Sequence, residues 1–464
     1  MATQQEIPSP PAPASAAKES RRAVVAGTVG NMMEWYDFAV YAYLTPIISR
    51  LFFPGDDPLI GVLSTFAIFA VGFLMRPVGA VFFGWYADKA GRKQALIVSV
   101  TLMGIATICL GLIPTYFQAG VFATVLLTLC RLAQGFSLGG EHGTSTSFLV
   151  EYAPKGKRGL YGSLAYFSSI LGMAIGAIVV LLLTLFLSAE ALDGWGWRVA
   201  FLLSFPLLAF GTYIRVRVGE TPEFKKTRED AKVATTPLIT IFRDHWRSML
   251  SVIGVGVGFA ISTYVVVSFI LSFLQTVVGV EPIPANLTVV VATLFGAVLI
   301  PLFGWLSDKY GRKQVLVAAC IACMVLPIIG FFIVVTGSLP AVMIGQLLMW
   351  IPVSIFCGVT PAAYAEMFPT EIRVSGFGIA YAIATAVFSG TAPFVATLLV
   401  EVTGVTVAPG WYIAVAGLVS LIFVLRLRET SRDDLPSNAN SGAPAAAEVT
   451  EAARPGDNEV LVEP

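Results

Sequence analysis

Charge is what this sequence has least of. Only 12% of its 464 residues are Asp, Glu, Lys or Arg, whereas about 25% is usual in soluble domains. Hydrophobic residues make up 56% of the chain, and histidine occurs twice. A chain of this composition cannot cover a soluble surface, so we exclude an ordinary soluble globular protein.

Cysteine is also scarce, and all five residues lie inside apolar runs: Cys109, Cys130, Cys320, Cys323 and Cys357. This placement excludes a disulfide framework in the loops. Cys320 and Cys323 have the C-x-x-C spacing of some metal and redox sites, but they share one hydrophobic span without a second ligand pair, so we expect no metal. The sequence also lacks a nucleotide-binding loop and a soluble catalytic domain. We therefore expect neither enzymatic activity nor a cofactor.

Long apolar runs recur along the whole chain. A helix needs about 20 apolar residues to cross a bilayer, and we predict twelve such spans, numbered here in chain order. They cover 23–49, 58–86, 94–114, 119–149, 159–188, 195–215, 249–277, 285–306, 314–336, 340–364, 375–402 and 409–427. We expect no cleaved signal, because the first run is long enough to stay in the membrane. The fold class is an all-α membrane protein.

The basic residues lie almost entirely on one side of these spans. Nearly all of the 29 Lys and Arg residues fall in the two tails and in the loops after even-numbered spans. Arg50 and Arg198 lie at the opposite ends of helices, and Arg76 and Arg131 lie inside spans. This asymmetry predicts a multi-pass protein of the cell membrane with both termini in the cytoplasm.

The two halves of the sequence repeat each other. GWYADKAGRK, at Gly84–Lys93, recurs as GWLSDKYGRK at Gly304–Lys313, and the spacing Glu151-x-x-Pro-x-x-x-Arg158 recurs as Glu366-x-x-Pro-x-x-x-Arg373. We predict two pseudo-symmetric bundles of six helices each, with the substrate site between them near mid-membrane. The predicted bounds are 23–215 and 249–428 for the bundles, 216–248 for a cytoplasmic linker, and 1–22 and 429–464 for disordered tails.

The repeated loops carry glycines and acids that a topology signal alone does not need. Glycine lets helices approach closely, and an acid can pair with a base or lie at a helix N-terminus. We predict a gate on the cytoplasmic face, the alternative being that these residues only set the topology. The candidates are Gly84, Asp88, Arg92, Glu151, Arg158, Gly304, Asp308, Arg312, Glu366 and Arg373.

These motifs carry a family resemblance. G-x-x-x-D-K-x-G-R-K after spans 2 and 8 resembles the loop motif of the major facilitator superfamily. Within it, four segments resemble the metabolite:H+ symporter family: GNMMEWYDFAVY (30–41), LMRPVGAVFFG (74–84), RLAQGFSLGGEHGTS (131–145) and RVGETPEF (217–224). That family includes α-ketoglutarate permeases, proline/betaine transporters, and citrate and shikimate carriers. The resemblance covers all twelve spans.

The resemblance implies proton-coupled import of a small carboxylate-bearing metabolite by alternating access, with the proton gradient as the energy source. GGEHGTS is similar to the α-ketoglutarate permease segment, whereas EYAPKGKRGLYGS and ETPEF look equally like proline/betaine members. The cargo therefore stays open between an organic acid and a zwitterionic osmolyte.

Ionisable residues deep inside spans are confined to the first half, although each costs about 2.5–3.5 kcal/mol at a helix centre. Arg131 and Asp37 lie at similar depth, so we predict that Arg131 pairs with Asp37 or Glu34 and is released when the carboxylate takes a proton. A static ion pair is the alternative. The candidates for proton coupling are Glu34, Asp37, Arg131, Glu141 and His142, the histidine because it titrates near neutral pH.

Polar and aromatic side chains at mid-depth are the candidates for substrate binding. Asn31 and Tyr41 share one face of span 1 with Glu34 and Asp37. Arg76 can bind a carboxylate as a fork, or anchor its span by reaching toward the interface. The others can equally be packing residues. The full set is Asn31, Tyr41, Arg76, Arg131, Gln134, Tyr264, Gln346 and Tyr381.

We therefore predict a secondary active transporter whose partners are a small solute, protons and the lipid bilayer. We expect it to act as a monomer and to bind no nucleic acid. A facilitator or exporter of the same fold is one alternative. A membrane sensor that relies on its tails is another, and deleting both tails should abolish a sensor and spare a carrier.

Neutralising three acids together should abolish concentrative import. The change is Glu34→Gln, Asp37→Asn and Glu141→Gln, and it removes the carboxylates whose protonation we expect to drive solute movement. Uptake of labelled solute against its gradient measures the effect, and accumulation that survives the change contradicts the prediction.

Overall fold

The computed structural model describes residues 31–32, 35–90, 92–139, 142–151, 153–206, 243–369, 372–433 and 435. The predicted N-terminal tail lies outside these ranges, as do most of the predicted linker and of the C-terminal tail. The fold is the predicted all-α architecture of twelve spans in two bundles. In the described part of the chain, nine helices are long and apolar enough to cross a membrane.

The helices follow the predicted spans closely. In the first half they are 35–43 and Thr45–Phe52 (span 1), Pro58–Leu74 and Arg76–Ala90 (span 2), Arg92–Leu112 (span 3), Val121–Leu138 and His142–Glu151 (span 4), Arg158–Phe186 (span 5) and Trp197–Leu202 (start of span 6). In the second half they are Trp246–Val278 (span 7), Pro282–Tyr310 (span 8), Arg312–Val334 (span 9), Leu339–Ala365 (span 10), Arg373–Ala384 and Ala392–Thr403 (span 11), and Ala408–Arg426 (span 12).

Proline starts most helices that run toward the loops rich in Lys and Arg. Pro58, Pro282, Pro340 and Pro409 each lie at the first or second position of their helix. Proline suits this position because its missing N–H would have no partner in the first turn. We call the side of the bundle with the loops 84–93, 151–158, 304–313 and 366–373 the basic face.

The two halves meet along symmetry-related helix pairs. Span 5 packs against span 8, and span 2 packs against span 11, so each half uses its second and fifth helices at the boundary. At the basic end of the first pair, a Cβ on Gly159 would lie 2.4 Å from the carbonyl oxygen of Gly304. The repeated glycine of the loop motif therefore permits a close approach between the halves.

Span 7 lies inside the bundle and faces lipid least. Every residue in its most apolar stretch is buried within the protein, whereas span 8 exposes a stripe of Leu287, Val291, Leu294 and Val298. A helix surrounded by protein on all sides is placed to line a path between the halves. Its α-helix ends at Tyr264 and continues as a π-helical turn, Val265–Phe269.

Glycines hold spans 2 and 4 in backbone contact. A Cβ on Gly135 would lie 1.7 Å from the carbonyl oxygen of Gly72, and one on Gly79 would lie 1.8 Å from that of Phe136. Real atoms cannot approach so closely. Arg76 and Arg131 project from these two helices, so this packing fixes the distance between them.

Replacing Gly135 by alanine should destabilise the protein strongly. Forcing one extra carbon into a well-packed contact typically costs about 1–3 kcal/mol, and here the obstacle is backbone. Thermal unfolding in detergent measures the effect. Gly194→Ala is the matched control, because its Cβ would meet nothing within 4 Å. Equal melting temperatures for the two variants would contradict the packing described here.

Candidate functional site

Arg131 lies at one end of a buried chain of hydrogen bonds in the first half. Its Nη1 donates to Gln134 Oε1 at 2.8 Å, and Gln134 Nε2 donates to Thr107 Oγ1 at 2.7 Å. The Thr107 hydroxyl lies 3.2 Å from Asp37 Oδ2 and 3.0 Å from the carbonyl oxygen of Met103. It has one hydrogen to donate, so these two acceptors compete for it.

The structure corrects the predicted direct pair between Arg131 and Asp37. No carboxylate among the described residues lies within ion-pair distance of Arg131, and Thr107 and Gln134 stand between Arg131 and Asp37. The physical reason is that a glutamine one helical turn beyond the arginine takes its Nη1. Glu34, the other predicted partner, lies outside the described residues.

Aromatic rings surround Arg131 and its neighbour Arg76. The Arg131 guanidinium carbon lies 4.1 Å from the centre of the Tyr41 ring, and that of Arg76 lies 3.9 Å from the centre of the Phe73 ring. Both guanidinium groups contact Phe38, at 4.9 and 5.1 Å. The other rings of this shell are Phe69 beside Arg131 and Trp35 beside Arg76.

The rings stabilise the two cations but leave donors unused. A desolvated cation over an aromatic ring gains about 2 kcal/mol, which is close to the cost of about 2.5–3.5 kcal/mol for a charge at the centre of a membrane helix. Arg131 Nε and Nη2 and Arg76 Nε nevertheless have no hydrogen-bond partner within the described ranges. Buried donors without partners point to a ligand that supplies acceptor oxygens.

Tyrosines of the second half lie next to this arginine pair. Tyr264 packs edge to face with Phe73, with 5.2 Å between ring centres, and its hydroxyl lies near the Arg76 guanidinium. Tyr381 lies close to Tyr264 and packs on Phe377 at 5.8 Å. The predicted candidates Tyr41, Arg76, Arg131, Gln134, Tyr264 and Tyr381 are therefore brought together across the boundary between the halves.

Two other predicted substrate residues are committed to packing. Asn31 Nδ2 donates to Ser168 and Ser169 of span 5, each at 2.8 Å, and Asn31 Oδ1 accepts from Trp35. Gln346 Nε2 donates to Thr288 at 2.7 Å, inside the second half. Because these amides are already satisfied, we assign both residues to helix packing. Glu141 and the side chain of His142 lie outside the described part, so their predicted coupling role stays a prediction.

Asp308 joins the two halves on the basic face. Its Oδ1 and Oδ2 accept from the backbone N–H groups of Gly159 and Leu160, at 2.8 and 2.9 Å. These N–H groups open the long helix of span 5, where an anion is favoured by the helix dipole. The second-half loop motif thus caps a first-half helix, which is a contact that must break if the halves separate on this side.

Charged pairs surround this cap. Arg312 pairs with Asp308 at 2.9 Å and with Glu366 at 3.1 Å, within the second half. Arg158 lies 3.8 Å from Glu366, and Arg373 is ion-paired to Glu151, so both of these contacts cross between the halves. Among the predicted gating residues, Arg158, Asp308, Arg312 and Glu366 form one connected cluster beside Gly304, and Glu151 and Arg373 form a second contact between the halves.

The segment after span 12 belongs to the same cluster, although the sequence placed residues from 429 onward in a disordered tail. Glu429 accepts from the backbone N–H groups of Arg312 and Lys313, at 2.9 and 3.0 Å, and Thr430 donates to Glu366 at 2.6 Å. Partial burial alone would raise the pKa of Glu429, but the hydrogen bonds to its carboxylate bring that pKa below its ordinary value. The Glu429 carboxylate is therefore ionised at neutral pH. Its hydrogen bonds to the start of span 9 are lost only as the pH falls through that lowered pKa.

This segment also reaches the first half. Arg158 Nη1 donates to the carbonyl oxygen of Asp433 at 2.9 Å, and Leu435 packs on a small cluster of Val150, Ala362 and Ala365. On the described structure, the halves are fastened together on the basic face.

The first-half copy of the loop motif is only partly described. Gly84 and Asp88 lie in the helix Arg76–Ala90, and Arg92 begins the next helix, but their side chains lie outside the description. The helix Arg76–Ala90 packs against the start of span 11. The predicted gating roles of Gly84, Asp88 and Arg92 stay predictions.

Sequence reasoning missed the residues that connect the candidates. Thr107 is one of two threonines in an apolar span, and nothing in its neighbourhood distinguishes it from a packing residue. Phe38 and Tyr41 are spaced one helical turn apart on span 1, which is a usable signal for a shared face. Glu429 and Thr430 follow a repeated Arg-x-Arg motif, which is a second usable signal.

A helical membrane bundle of two related halves, with buried polar groups at their boundary, defines the class of secondary transporters. A family model described as "Sugar (and other) transporter" matches residues 23–245, and one described as "Major Facilitator Superfamily" matches residues 253–456. The chain belongs to the major facilitator superfamily, which confirms the resemblance seen in its motifs. It is a multi-pass membrane transporter of small molecules and not an enzyme.

Relatives of known name extend over nearly the whole chain. It is 34% identical over 457 residues to the proline/betaine transporter of Escherichia coli (strain K12), which covers 96% of this chain and 88% of the relative. It is 34% identical over 443 residues to the glycine betaine/proline/ectoine/pipecolic acid transporter OusA of Dickeya dadantii, covering 93% and 87%. In fold it is similar to the xylose transporter XylE from E. coli, with a TM-score of 0.72, 17% identity, and coverage of 90% and 100%.

Replacing Asp308 by asparagine should favour separation of the halves on the basic face. An anion at a helix N-terminus contributes up to about 2 kcal/mol when partly buried, so its loss should shift the equilibrium by up to about thirtyfold. Distances between spin labels on spans 5 and 8 at the basic face measure the shift. Asp193→Asn is the control, because Asp193 pairs with Arg50 on the exposed opposite face. An unchanged distance distribution in the Asp308 variant would contradict the gate.

Proposed function

We propose that the protein imports a small zwitterionic osmolyte, of the proline or betaine type, together with protons. The observation that carries the proposal is the pair of buried arginines, Arg76 and Arg131, which have unused donors and no carboxylate partner among the described residues. A guanidinium with free N–H groups in a dry site is suited to bind a carboxylate. Every osmolyte of this class carries one.

The relatives favour a zwitterion over α-ketoglutarate. Their names include proline, betaine, ectoine and pipecolic acid. The aromatic shell agrees with this choice, because aromatic rings attract an organic cation and repel a second carboxylate. With one carboxylate bound to both guanidinium groups, a dicarboxylate would bring its second negative charge against these rings.

Asp37 is the proposed site of proton coupling. While it is ionised, the Thr107 hydroxyl donates to it, and the Thr107 oxygen also accepts from Gln134. Once Asp37 is protonated, it can itself donate to the second acceptor site of Thr107, whose hydrogen then turns to Met103. This change reorients the hydroxyl to which Gln134 donates, and Gln134 in turn holds Arg131. Protonation and the orientation of the carboxylate-binding arginine are coupled in this way.

The contacts on the basic face support alternating access. Asp308, Arg373 and Arg158 fasten the halves together there, so the arginine site is closed toward the basic face in this arrangement. With the basic face in the cytoplasm, as the distribution of Lys and Arg predicts, solute would enter from outside and leave when these contacts break. We place the protein in the plasma membrane, with both termini cytoplasmic, as a monomer.

Proteoliposomes with an imposed pH gradient test the proposal. The protein should accumulate labelled proline or glycine betaine, should not accumulate α-ketoglutarate, and should lose accumulation when a protonophore is added. Asp37→Asn keeps a polar group near Thr107 but removes the titration. It should therefore abolish accumulation and retain exchange of labelled for unlabelled substrate.

Arg131→Gln should abolish both accumulation and exchange, whereas Arg50→Gln, which removes an exposed ion pair, should change neither.

Two results would contradict the proposal. Accumulation that persists with the protonophore would overturn proton coupling. Exchange of α-ketoglutarate but not of the zwitterions would overturn the substrate class.

A further inference from the structure

Tyr264 is the group of the second half that lies deepest in the arginine site. Its ring lies 5.2, 6.3 and 6.4 Å from the rings of Phe73, Phe69 and Phe38, all of which belong to the first half. The side chain is 2% exposed. Its hydroxyl has no hydrogen-bond partner within the described part of the chain, and it lies near the Arg76 guanidinium.

An osmolyte of the proposed class must place its cationic nitrogen close to this tyrosine. One carbon separates the carboxylate from the nitrogen in proline and in glycine betaine. Once the carboxylate lies on the two guanidinium groups, the nitrogen is therefore only a few ångströms away. No carboxylate among the described residues lies in ion-pair contact with either arginine, and the groups that these residues offer the cation are ring faces and neutral oxygens.

The ring and the hydroxyl of a tyrosine recognise different cations. A ring face attracts any ammonium ion, including one that has no N–H group. A hydroxyl oxygen accepts a hydrogen bond only from a nitrogen that carries hydrogen. Proline has N–H groups to donate and glycine betaine has none.

Building on the proposed function, we propose that Tyr264 is the specificity-determining residue of the site. Its ring holds the cationic nitrogen of every osmolyte that is carried, and its hydroxyl oxygen accepts an additional hydrogen bond from those that retain N–H groups. The second half thereby binds the cationic nitrogen and the first half binds the carboxylate. The bound osmolyte therefore contacts both halves.

Two substitutions separate the ring from the hydroxyl. Tyr264→Phe keeps the ring, so it should raise the KM for proline about tenfold, as expected for a lost hydrogen bond to a charged group. It should leave the KM for glycine betaine within about twofold. Tyr264→Leu removes the ring as well and should raise both KM values by about tenfold or more.

Counterflow in proteoliposomes, without an imposed pH gradient, measures these values independently of proton coupling. Tyr36→Phe is the matched control, because that tyrosine donates its hydroxyl to the Ala200 carbonyl oxygen at 2.7 Å, away from the arginine pair. It should leave the ratio of the two KM values unchanged. The ratio is the readout, since a loss of stability alone would lower activity with both substrates and leave their ratio unaltered.

The outcomes distinguish this inference from the proposed function. If the wild-type protein exchanges neither zwitterion, the proposed function fails and this assignment fails with it. If the wild-type protein exchanges both but Tyr264→Phe alters the two KM values equally, or alters neither, the role of Tyr264 is overturned and the proposed function stands.

Discussion

Two guanidinium groups buried in a membrane protein set a requirement that the rest of the structure meets. Each would be costly alone, and Arg76 and Arg131 share Phe38 between them, so their charges also repel. Aromatic rings supply the attraction that keeps them charged, and glycine contacts between spans 2 and 4 keep the two helices at a fixed distance. What the protein does not supply, in the residues described, is acceptor oxygens for the remaining N–H groups. Under the proposed function, the carboxylate of the solute supplies them.

The two halves repeat each other in sequence but contribute different groups to the site. The first half holds the arginines and Asp37, and the second half contributes neutral groups such as Tyr264 and Tyr381. On the basic face the charged group comes from the second half instead, because Asp308 caps a helix of the first half. Each half therefore depends on the other at two depths of the membrane. A ligand that bridges the halves at mid-depth and a cluster that bridges them at one face can then be made and broken in turn.

The sequence predicted the fold well, because span length and the placement of Lys and Arg are properties of single segments. It also predicted which residues meet on the basic face, since Asp308 and Arg312 repeat in both halves and their chemistry is local. It did not predict the link between Asp37 and Arg131, because depth along a helix gives no information about which side chain stands between two others. No spacing in the sequence around Thr107 indicates that this residue contacts Asp37 and Gln134. Likewise, Asn31 shares a face with Asp37, but its partners on span 5 are far away in the chain and only packing reveals them.

Span 7 connects recognition to movement. Its α-helical hydrogen bonds end at Tyr264, where the π-helical turn Val265–Phe269 begins. A π-helical turn interrupts the regular i to i−4 pattern, and such turns are frequent at functional sites. Because all of this stretch is packed inside the protein, a change in its register moves side chains against both halves. A ligand that draws Tyr264 toward the arginines therefore acts next to the first of the two π-helical turns of span 7, the other being Leu274–Val278. This gives binding at mid-membrane a physical route to rearranging the boundary between the halves.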